Sequence, residues 1–289
     1  MAGDEYLRSF GDVSIKQDVV GVIEILTAKE NWFLNNLGKT FAISTVHQTQ
    51  TDTLRAAASA AVEEAQDLTI LASTTPSLLT NLVEQIAIPF AVSFTQESVQ
   101  HYSGQNELSR QVTKALSDFG NSAEYDLVRS TLVSGASGTA PKMKGILAAI
   151  SKSTNTTAHN SGTTFSASIL NGLMKNAWDN SNGMTATDLF MGSFLRNVVD
   201  SFTQKTNQLV SVPVNTINNM IDVYTTSFGR LNVHIHRYVN VSGDATAQVL
   251  GVRPEHLKIA YLQRPFVMDL ATTGPADKKA VFGSMTLET

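Results

Sequence analysis

The sequence predicts an α+β protein that is organised around one long helix. Three features of its 289 residues point to this class. Residues 105–134 carry a single apolar stripe at spacings of three and four, which is typical of a helix that lies across a sheet. Segments rich in Thr, Val and Ile before and after that helix favour strands. Long stretches between these elements lack an apolar face and indicate extensions from the body.

The composition suits a protein whose surface is largely covered by other subunits. Charged residues make up 16% of the chain, against about 25% in an average globular protein, and neutral Thr, Ser, Asn and Gln replace them. Neutral polar groups cost less to desolvate than ions do. The net charge of −4 and the lack of a Lys/Arg block argue against tight nucleic-acid binding.

Several function classes are excluded by what the sequence lacks. With no Cys, the chain has no disulfide, no thiolate metal site and no cysteine nucleophile. It contains no G-x-S-x-G elbow, no H-E-x-x-H motif and no signal peptide. No apolar run approaches the length of a membrane span. We therefore expect a soluble protein that is made in the cytoplasm.

The first 99 residues contain segments that cannot bury an apolar face by themselves. Residues 1–30 are polar and mixed, which predicts an arm that is ordered by a partner. Residues 41–54 favour strand, yet neither alternating face is convincingly apolar. Residues 55–67 are Ala-rich and predict a helical turn or a hairpin tip, and residues 81–99 predict the returning strand, with Pro89 at an edge or bulge. We therefore expect a long hairpin that lies on another surface.

The remaining elements follow from periodicity and turn signals. The stripe of the long helix consists of Leu108, Val112, Ala115, Leu116, Phe119, Ala123, Leu127 and Thr131. Gly120–Asn121 would permit a bend in this helix, and "SGASGTAPKMKG" (134–145) predicts a flexible break. The later elements are predicted as helices at 166–178 and 186–202, strands at about 209–214, 219–224 and 231–241, and two final strands within 257–288 joined by a turn at 274–277.

Several short motifs follow one another along the chain, and their order is more informative than any one of them alone. Thr80–Ser130 looks like a strand, a "vSgTQeav" turn and a spine helix in sequence, and "APKMKGILAAI" (140–150) and "TTSFGRLNVHIHRY" (225–238) follow it. The stretch "FVMDLATTGPADKKAVFGSMTLE" (266–288) ends the chain as strand, turn and strand. From about residue 40 onward, this order resembles the major capsid proteins of tailed bacteriophages with the Hong Kong 97-type fold.

The resemblance implies a layout and a function. Residues 1–40 would be an N-terminal arm, 41–95 an extended loop over a neighbouring subunit, and 96–139 a peripheral domain with the spine helix. Residues 140–250 would form the axial domain, and 251–289 the C-terminal strands that return to the peripheral domain. The protein would be a structural component of the virion, assembled in the host cytoplasm into hexamers and pentamers of an icosahedral shell around double-stranded DNA.

The resemblance also implies partners and interface residues. The partners would be other copies of the chain, a portal, and scaffold or decoration proteins, with weak non-specific contact to packaged DNA, no membrane and no cofactor. Trp32 in the arm and Arg55, Glu63 and Glu64 in the loop are candidates for the subunit interface, because an acidic pair could meet a neighbour's basic residue. The family tends to have Glu-Gly where this chain has Glu63–Glu64, and Gly tolerates positive φ more easily. Some relatives form a Lys–Asn isopeptide crosslink, but the required residues do not align here.

Two further functions stay open. An encapsulin-like compartment shell would share the fold and enclose cargo enzymes instead of DNA. A metalloenzyme would use His234 and His236, which point to the same side of a predicted strand. Zinc needs three or four ligands, and Asp222, Asp244 or His256 could supply a third.

The metal-site interpretation of the histidines, and a phosphate-binding interpretation of the Gly-rich segment at 134–139, each have a structural alternative. The two histidines could simply lie on a solvated or interface face of a strand whose opposite face, Val233 and Ile235 and at its end Arg237, is packed. The Gly-rich "SGASGT" with Lys142 and Lys144 lacks the residue order of a phosphate-binding loop. It therefore favours a hinge between the spine helix and the axial domain.

Overall fold

The structure is a computed structural model that describes residues 31–52, 54, 58–65, 67, 75–99, 106–150, 165–180, 184–202, 223–240 and 248–289. Several predictions concern residues outside these ranges. They are the first 30 residues of the predicted arm, the predicted strand at 209–214, Arg55, Asp222 and Asp244.

In chain order, the elements are α1 (Trp32–Asn36), β1 (Gly38–Phe41), β2 (Val46–Thr51), β3 (Ser77–Leu82), β4 (Glu84–Ser93), α2 (Phe94–Ser98), α3 (Glu107–Arg129), α4 (Ile146–Ile150), α5 (Ala167–Asn180), β5 (Asp188–Met191), α6 (Ser193–Phe202), β6 (Val223–Thr226), β7 (Gly229–Ile235), β8 (Val249–Val252), β9 (Lys258–Asp269) and β10 (Ala276–Glu288). The described strands form sheets in the orders β1-β9-β10-β4, β2-β3 and β6-β7-β5-β8. Of the helices in these ranges, none is long and apolar enough to cross a membrane.

The long helix α3 packs across the sheet that contains β4 and β10, as predicted. Its stripe is confirmed at four positions that are almost fully buried, namely Ala115, Phe119, Ala123 and Leu127. On the sheet, Gly283 faces the helix, and a Cβ at this position would lie 2.8 Å from the Phe119 ring. Such a distance is shorter than any real Cβ contact, so the close approach of helix and sheet requires glycine here. Leu116 departs from the prediction, because it is 45% exposed.

The helix is shorter than the predicted range of 105–134. Asn106 caps its first turn, where the Leu108 N–H donates to Asn106 Oδ1 at 2.8 Å. The helix ends before Ser130, whose ψ of 140° is not helical, so Thr131, the last residue of the predicted stripe, lies outside the helix. The helix runs through Gly120 without interruption. A Cβ at Gly120 would lie 3.0 Å from the Asn31 side chain, so this glycine lets the chain before α1 approach closely.

The prediction of one helix over 186–202 is wrong for its first part, which is strand β5. All four side chains of β5 are buried, because the strand lies between β7 and β8 in the centre of its sheet. A short strand that is buried on both faces cannot be told from a buried helix by periodicity alone. Gly192 separates β5 from α6, and a Cβ there would lie 2.8 Å from the Asn240 side chain.

The two C-terminal strands and their turn are confirmed. β9 and β10 pair antiparallel, and Gly274 in the turn has a φ of 94°, which favours glycine. β10 also pairs with β4 from Ala276 to Met285. Pro89 lies on β4, an edge strand of this sheet, where a missing N–H is tolerated. The predicted returning strand therefore forms an edge of the sheet β1-β9-β10-β4, which we call the main sheet.

The buried stripe of α3 makes a direct prediction about stability. Replacing Leu127, which is fully buried, with Ala is expected to lower the free energy of unfolding by about 2–5 kcal/mol, since a cavity is left in the core. Leu116→Ala on the same helix is the matched control and is expected to cost less than about 1 kcal/mol. Urea unfolding of the unassembled subunit measures both, and equal losses would contradict the packing described here.

Candidate functional site

The candidate functional site is the hairpin β2–β3, which consists of β2, β3 and the described residues between them, namely 52, 54, 58–65, 67 and 75–76. The two strands pair antiparallel along their whole length, and residues 77–80 and 58–65 are all exposed. Exposed apolar side chains in this hairpin are Val46, Leu54, Val62, Leu78 and Leu79. A two-stranded hairpin is only marginally stable in water. Its apolar surface would therefore gain stability if another protein surface covered it.

The predicted loop range of 41–95 contains more than this hairpin, since β4 belongs to the main sheet. The described residues of 55–67 are not helical, which favours the alternative that they form the tip. Glu63 and Glu64 are exposed there. The neighbouring Ala65 has a φ of 64°, a conformation that is uncommon for a residue other than glycine.

Trp32, the candidate from the arm, is in a different environment. It lies in α1, is partly buried, and packs edge-on against Phe190 with ring centroids 4.6 Å apart. Its ring also lies 5.2 Å from that of His234. In this subunit, Trp32 therefore attaches the arm to the body, and its role at a subunit interface stays a prediction, as do those of Glu63 and Glu64.

The hairpin is attached to the body through Asn81, which is 9% exposed. Asn81 Oδ1 accepts a hydrogen bond from the Lys144 N–H at 2.7 Å, and Asn81 Nδ2 donates to the Lys144 carbonyl at 3.1 Å. Nδ2 also donates to the Leu287 carbonyl at 2.8 Å. The side chain thus binds both backbone groups of Lys144, as a neighbouring strand would.

A second polar contact lies beside the first. His47, which pairs with Asn81 across the hairpin, has its Nε2 3.2 Å from Glu288 Oε2. Lys258 Nζ lies 3.7 Å from the other oxygen of Glu288. The sequence analysis did not identify these residues. The available signal was Asn81 itself, because Asn is depleted in strands.

The segment Met143–Gly145 binds three different elements through three consecutive N–H groups. They donate, in order, to Glu84 Oε2 at 3.1 Å, to Asn81 Oδ1 at 2.7 Å and to the Ser130 carbonyl at 2.8 Å. These acceptors lie on β4, on β3 and directly after α3. The predicted flexible break at 134–145 is therefore fixed at its end, and we call Met143–Gly145 the junction.

A buried carboxyl group lies at this junction. Burial, together with the negative charge of Asp126, raises the pKa of Glu84 to about 7, against the lowering effects of the Met143 N–H, Lys142 and Ser130. Burial also raises the pKa of Asp126, against the lowering effect of Lys142. Two carboxyl groups close together in a partly dry site disfavour double ionisation.

His234 and His236 both lie near Phe190, but they bind different carboxylates. Their ring centroids lie 5.1 Å and 6.1 Å from that of Phe190. His234 Nε2 is 2.9 Å from Asp188 Oδ1, and His236 Nε2 is 2.9 Å from Glu124 Oε1. Within the described ranges, no group of three or more His, Asp or Glu side chains could hold a metal ion.

The packing predicted for this strand is wrong at three positions. Ile235 is 53% exposed and Arg237 is exposed instead of packed, and His236 is 3% exposed instead of lying on a solvated or interface face. β7 ends at Ile235, so strand alternation no longer applies at His236. Of the possible third ligands, His256 lies in a 3-10 helix, Pro254–His256.

Glu124 on α3 is fully buried, and its carboxylate accepts three hydrogen bonds. The N–H groups of Phe33 and Leu34 donate at 2.8 Å each, and His236 Nε2 donates at 2.9 Å. Because the Tyr238 N–H donates to His236 Nδ1 at 3.3 Å, the proton of the neutral ring lies on Nε2. Glu124 therefore joins α1 and the chain after β7 to the spine helix.

The chain resembles known proteins both in its sequence and in its fold. Residues 6–289 match the family model described as SU10 major capsid protein. The capsid of a native GTA particle is similar, with a TM-score of 0.68 and 11% identity, over 97% of this chain and 93% of that chain. A structure from Mycobacterium phage Adephagia has a TM-score of 0.63 and 14% identity, over 98% and 91%. The holo-SrpI encapsulin complex from Synechococcus elongatus has a TM-score of 0.62 and 11% identity, over 98% and 92%.

No curated protein matches the chain. At the identities above, the solved structures establish the fold alone, and it is the Hong Kong 97-type fold that the sequence predicted.

The raised pKa of Glu84 predicts how stability depends on pH. The folded subunit holds this proton more tightly than the unfolded chain, whose carboxyl has a pKa of about 4.5. The stabilisation is therefore complete below about pH 4.5 and is lost as the pH rises through about 7. Between these values the free energy of unfolding should fall by about 1–2 kcal/mol, after allowance for solvent screening. Glu84→Gln should remove this slope in urea unfolding of the unassembled subunit.

The control for this experiment is Glu255→Gln, because the Glu255 side chain is 71% exposed. This variant should keep the pH slope of the unchanged chain. An identical slope in Glu84→Gln and the control would show that Glu84 is not the group that titrates.

The network around Glu124 predicts a large loss of stability when its acceptors change. Glu124→Gln replaces one acceptor oxygen with an NH₂ group, which must then face an N–H donor. The free energy of unfolding should fall by about 2–4 kcal/mol. Asp118→Asn, at an exposed position of the same helix, should change it by less than about 0.5 kcal/mol. Equal effects of the two substitutions, measured by urea unfolding, would refute the network.

Proposed function

Because the chain belongs to the SU10 major capsid protein family and is a capsid shell subunit, we propose that it assembles into hexamers and pentamers of an icosahedral shell. The shell encloses double-stranded DNA in the virion and assembles in the host cytoplasm. Its mechanism is association between subunits, without turnover of a substrate.

The exposure of the hairpin β2–β3 carries this proposal. Leu78 is 60% exposed and Val62 is 63% exposed, and each such side chain gains about 1.5–3 kcal/mol when it is fully buried. A standard interface buries about 800 Å² per partner. Several interfaces of this size hold each subunit in the shell, so the assembly as a whole is far more stable than any single interface.

The domain layout is part of the proposal. The peripheral domain consists of α3 and the main sheet, and the axial domain of the sheet β6-β7-β5-β8 with α5 and α6. Exposed apolar side chains in this second region, namely Trp178, Met184 and Phe194, support contacts with neighbouring subunits around a symmetry axis. The hairpin reaches over an adjacent peripheral domain.

DNA and other virion proteins make the weaker contacts. The net charge of −4 supports weak, non-specific contact with packaged DNA, because a strongly cationic wall would hold the DNA tightly. The portal, and scaffold or decoration proteins, bind the assembled subunits in this proposal.

An encapsulin-like compartment shell is the second candidate. It is supported by the similarity to the holo-SrpI encapsulin complex, which covers 98% of this chain. An encapsulin would form closed shells without a portal and would take up a cargo peptide. The family match supports the capsid subunit over this candidate.

Electron microscopy of the expressed chain tests the proposal, and regular shells or capsomer-like rings are the expected result. Leu78→Lys should abolish assembly, because it places a charge on the surface that a neighbour covers. Leu78→Met is the matched control, since it keeps the volume and the apolar character, and it should assemble. A chain that stays monomeric under all conditions, or a Leu78→Lys variant that assembles normally, would contradict the proposal.

A further inference from the structure

The hairpin β2–β3 leaves the body through a small root. Ala42 and Val83 at its two ends are buried and pack with Ala260, and the Val83 N–H donates to the Thr45 carbonyl at 2.9 Å. Ile43, within the incoming connection, is 96% exposed. These few apolar contacts and the bond from the Ala42 N–H to the Tyr261 carbonyl at 3.0 Å hold the hairpin to the body. They do not fix its direction, because apolar contacts are not directional and a single hydrogen bond permits rotation about it.

Direction is supplied two residues beyond the root, at Asn81. Its two hydrogen bonds to Lys144 and its third to the Leu287 carbonyl reach backbone atoms on two separate elements. Hydrogen bonds weaken steeply when their angle departs from linear, so three of them at one side chain restrict rotation of the hairpin about its root. His47 adds a contact to Glu288 on the same side.

The partner of Asn81 is itself a fixed point. Lys144 is the middle residue of the junction, whose other N–H groups bind Glu84 on β4 and the Ser130 carbonyl after α3. The junction leads directly into α4 at Ile146. Asn81 therefore ties the hairpin to the point where the main sheet, the spine helix and the start of the predicted axial domain meet.

We propose that Asn81 is the positioning residue that sets the direction of the hairpin relative to the body, and thereby the angle between adjacent subunits in the shell. The inference rests on the proposed function, since only an assembled shell has such an angle. A displacement of the junction relative to the sheet changes the direction of the hairpin through Asn81.

Hydrogen–deuterium exchange of the unassembled subunit tests the first half of this inference. Asn81→Ala removes all the bonds of the side chain, and Asn81→Asp keeps the acceptor but loses both donor bonds. In both variants, amides of β2 and β3 should exchange about tenfold faster or more, while β9 and β10 keep their protection. Thr80→Ala, at the exposed neighbouring position, is the control and should exchange like the unchanged chain.

Electron microscopy of assembled particles tests the second half. The unchanged chain and Thr80→Ala should give shells of one diameter, whereas the Asn81 variants should give altered diameters, mixed sizes or open sheets. Unchanged hairpin exchange, or shells of unchanged diameter from both Asn81 variants, would overturn the inference. So would loss of protection throughout the body in both variants, because Asn81 would then hold the core. Failure of the unchanged chain to form shells would instead refute the proposed function.

Discussion

One buried carboxylate, Glu124, fixes the relation between three distant parts of the chain. A carboxylate without contact to water is tolerated only when donors surround it, and here α1 supplies two N–H groups and the chain after β7 supplies His236. If any of these parts moved away, a buried polar group would lose its partner, at a cost of about 1–3 kcal/mol. The arm helix, the spine helix and the end of β7 therefore hold one arrangement.

The hairpin β2–β3 is built on the opposite principle from the body. In the body, apolar clusters supply the stability, and polar groups such as Glu124 select the arrangement. Beyond its root, none of the described apolar side chains of the hairpin is buried, so the root attaches the hairpin and polar contacts set its direction. This division suits a shell subunit. The body must keep the same structure at every position in the shell, whereas the apolar side chains of the hairpin become buried only when a neighbouring subunit covers them.

The parts of the fold that the sequence predicted are those with local patterns. The stripe of α3, the two C-terminal strands and Pro89 at an edge all follow from neighbouring residues. β5 was missed because a fully buried strand shows no alternation. The partners of Asn81 and Glu124 could not be predicted, since these backbone groups lie 63 and 91 residues away in the chain. A pattern of side chains along the sequence does not indicate which distant backbone atoms a side chain will bind.

The same reasoning explains how a hairpin can be redirected while the fold is kept. The structures named above share only 11–14% identity with the chain, so most of their side chains differ from those of this chain. The groups that Asn81 binds on Lys144 and Leu287 are backbone atoms, which any residue other than proline would supply at those positions. Only one side chain must then be specified to set the direction of the hairpin. If Asn81 has this role, a substitution there changes shell geometry without any change in the packing of the body.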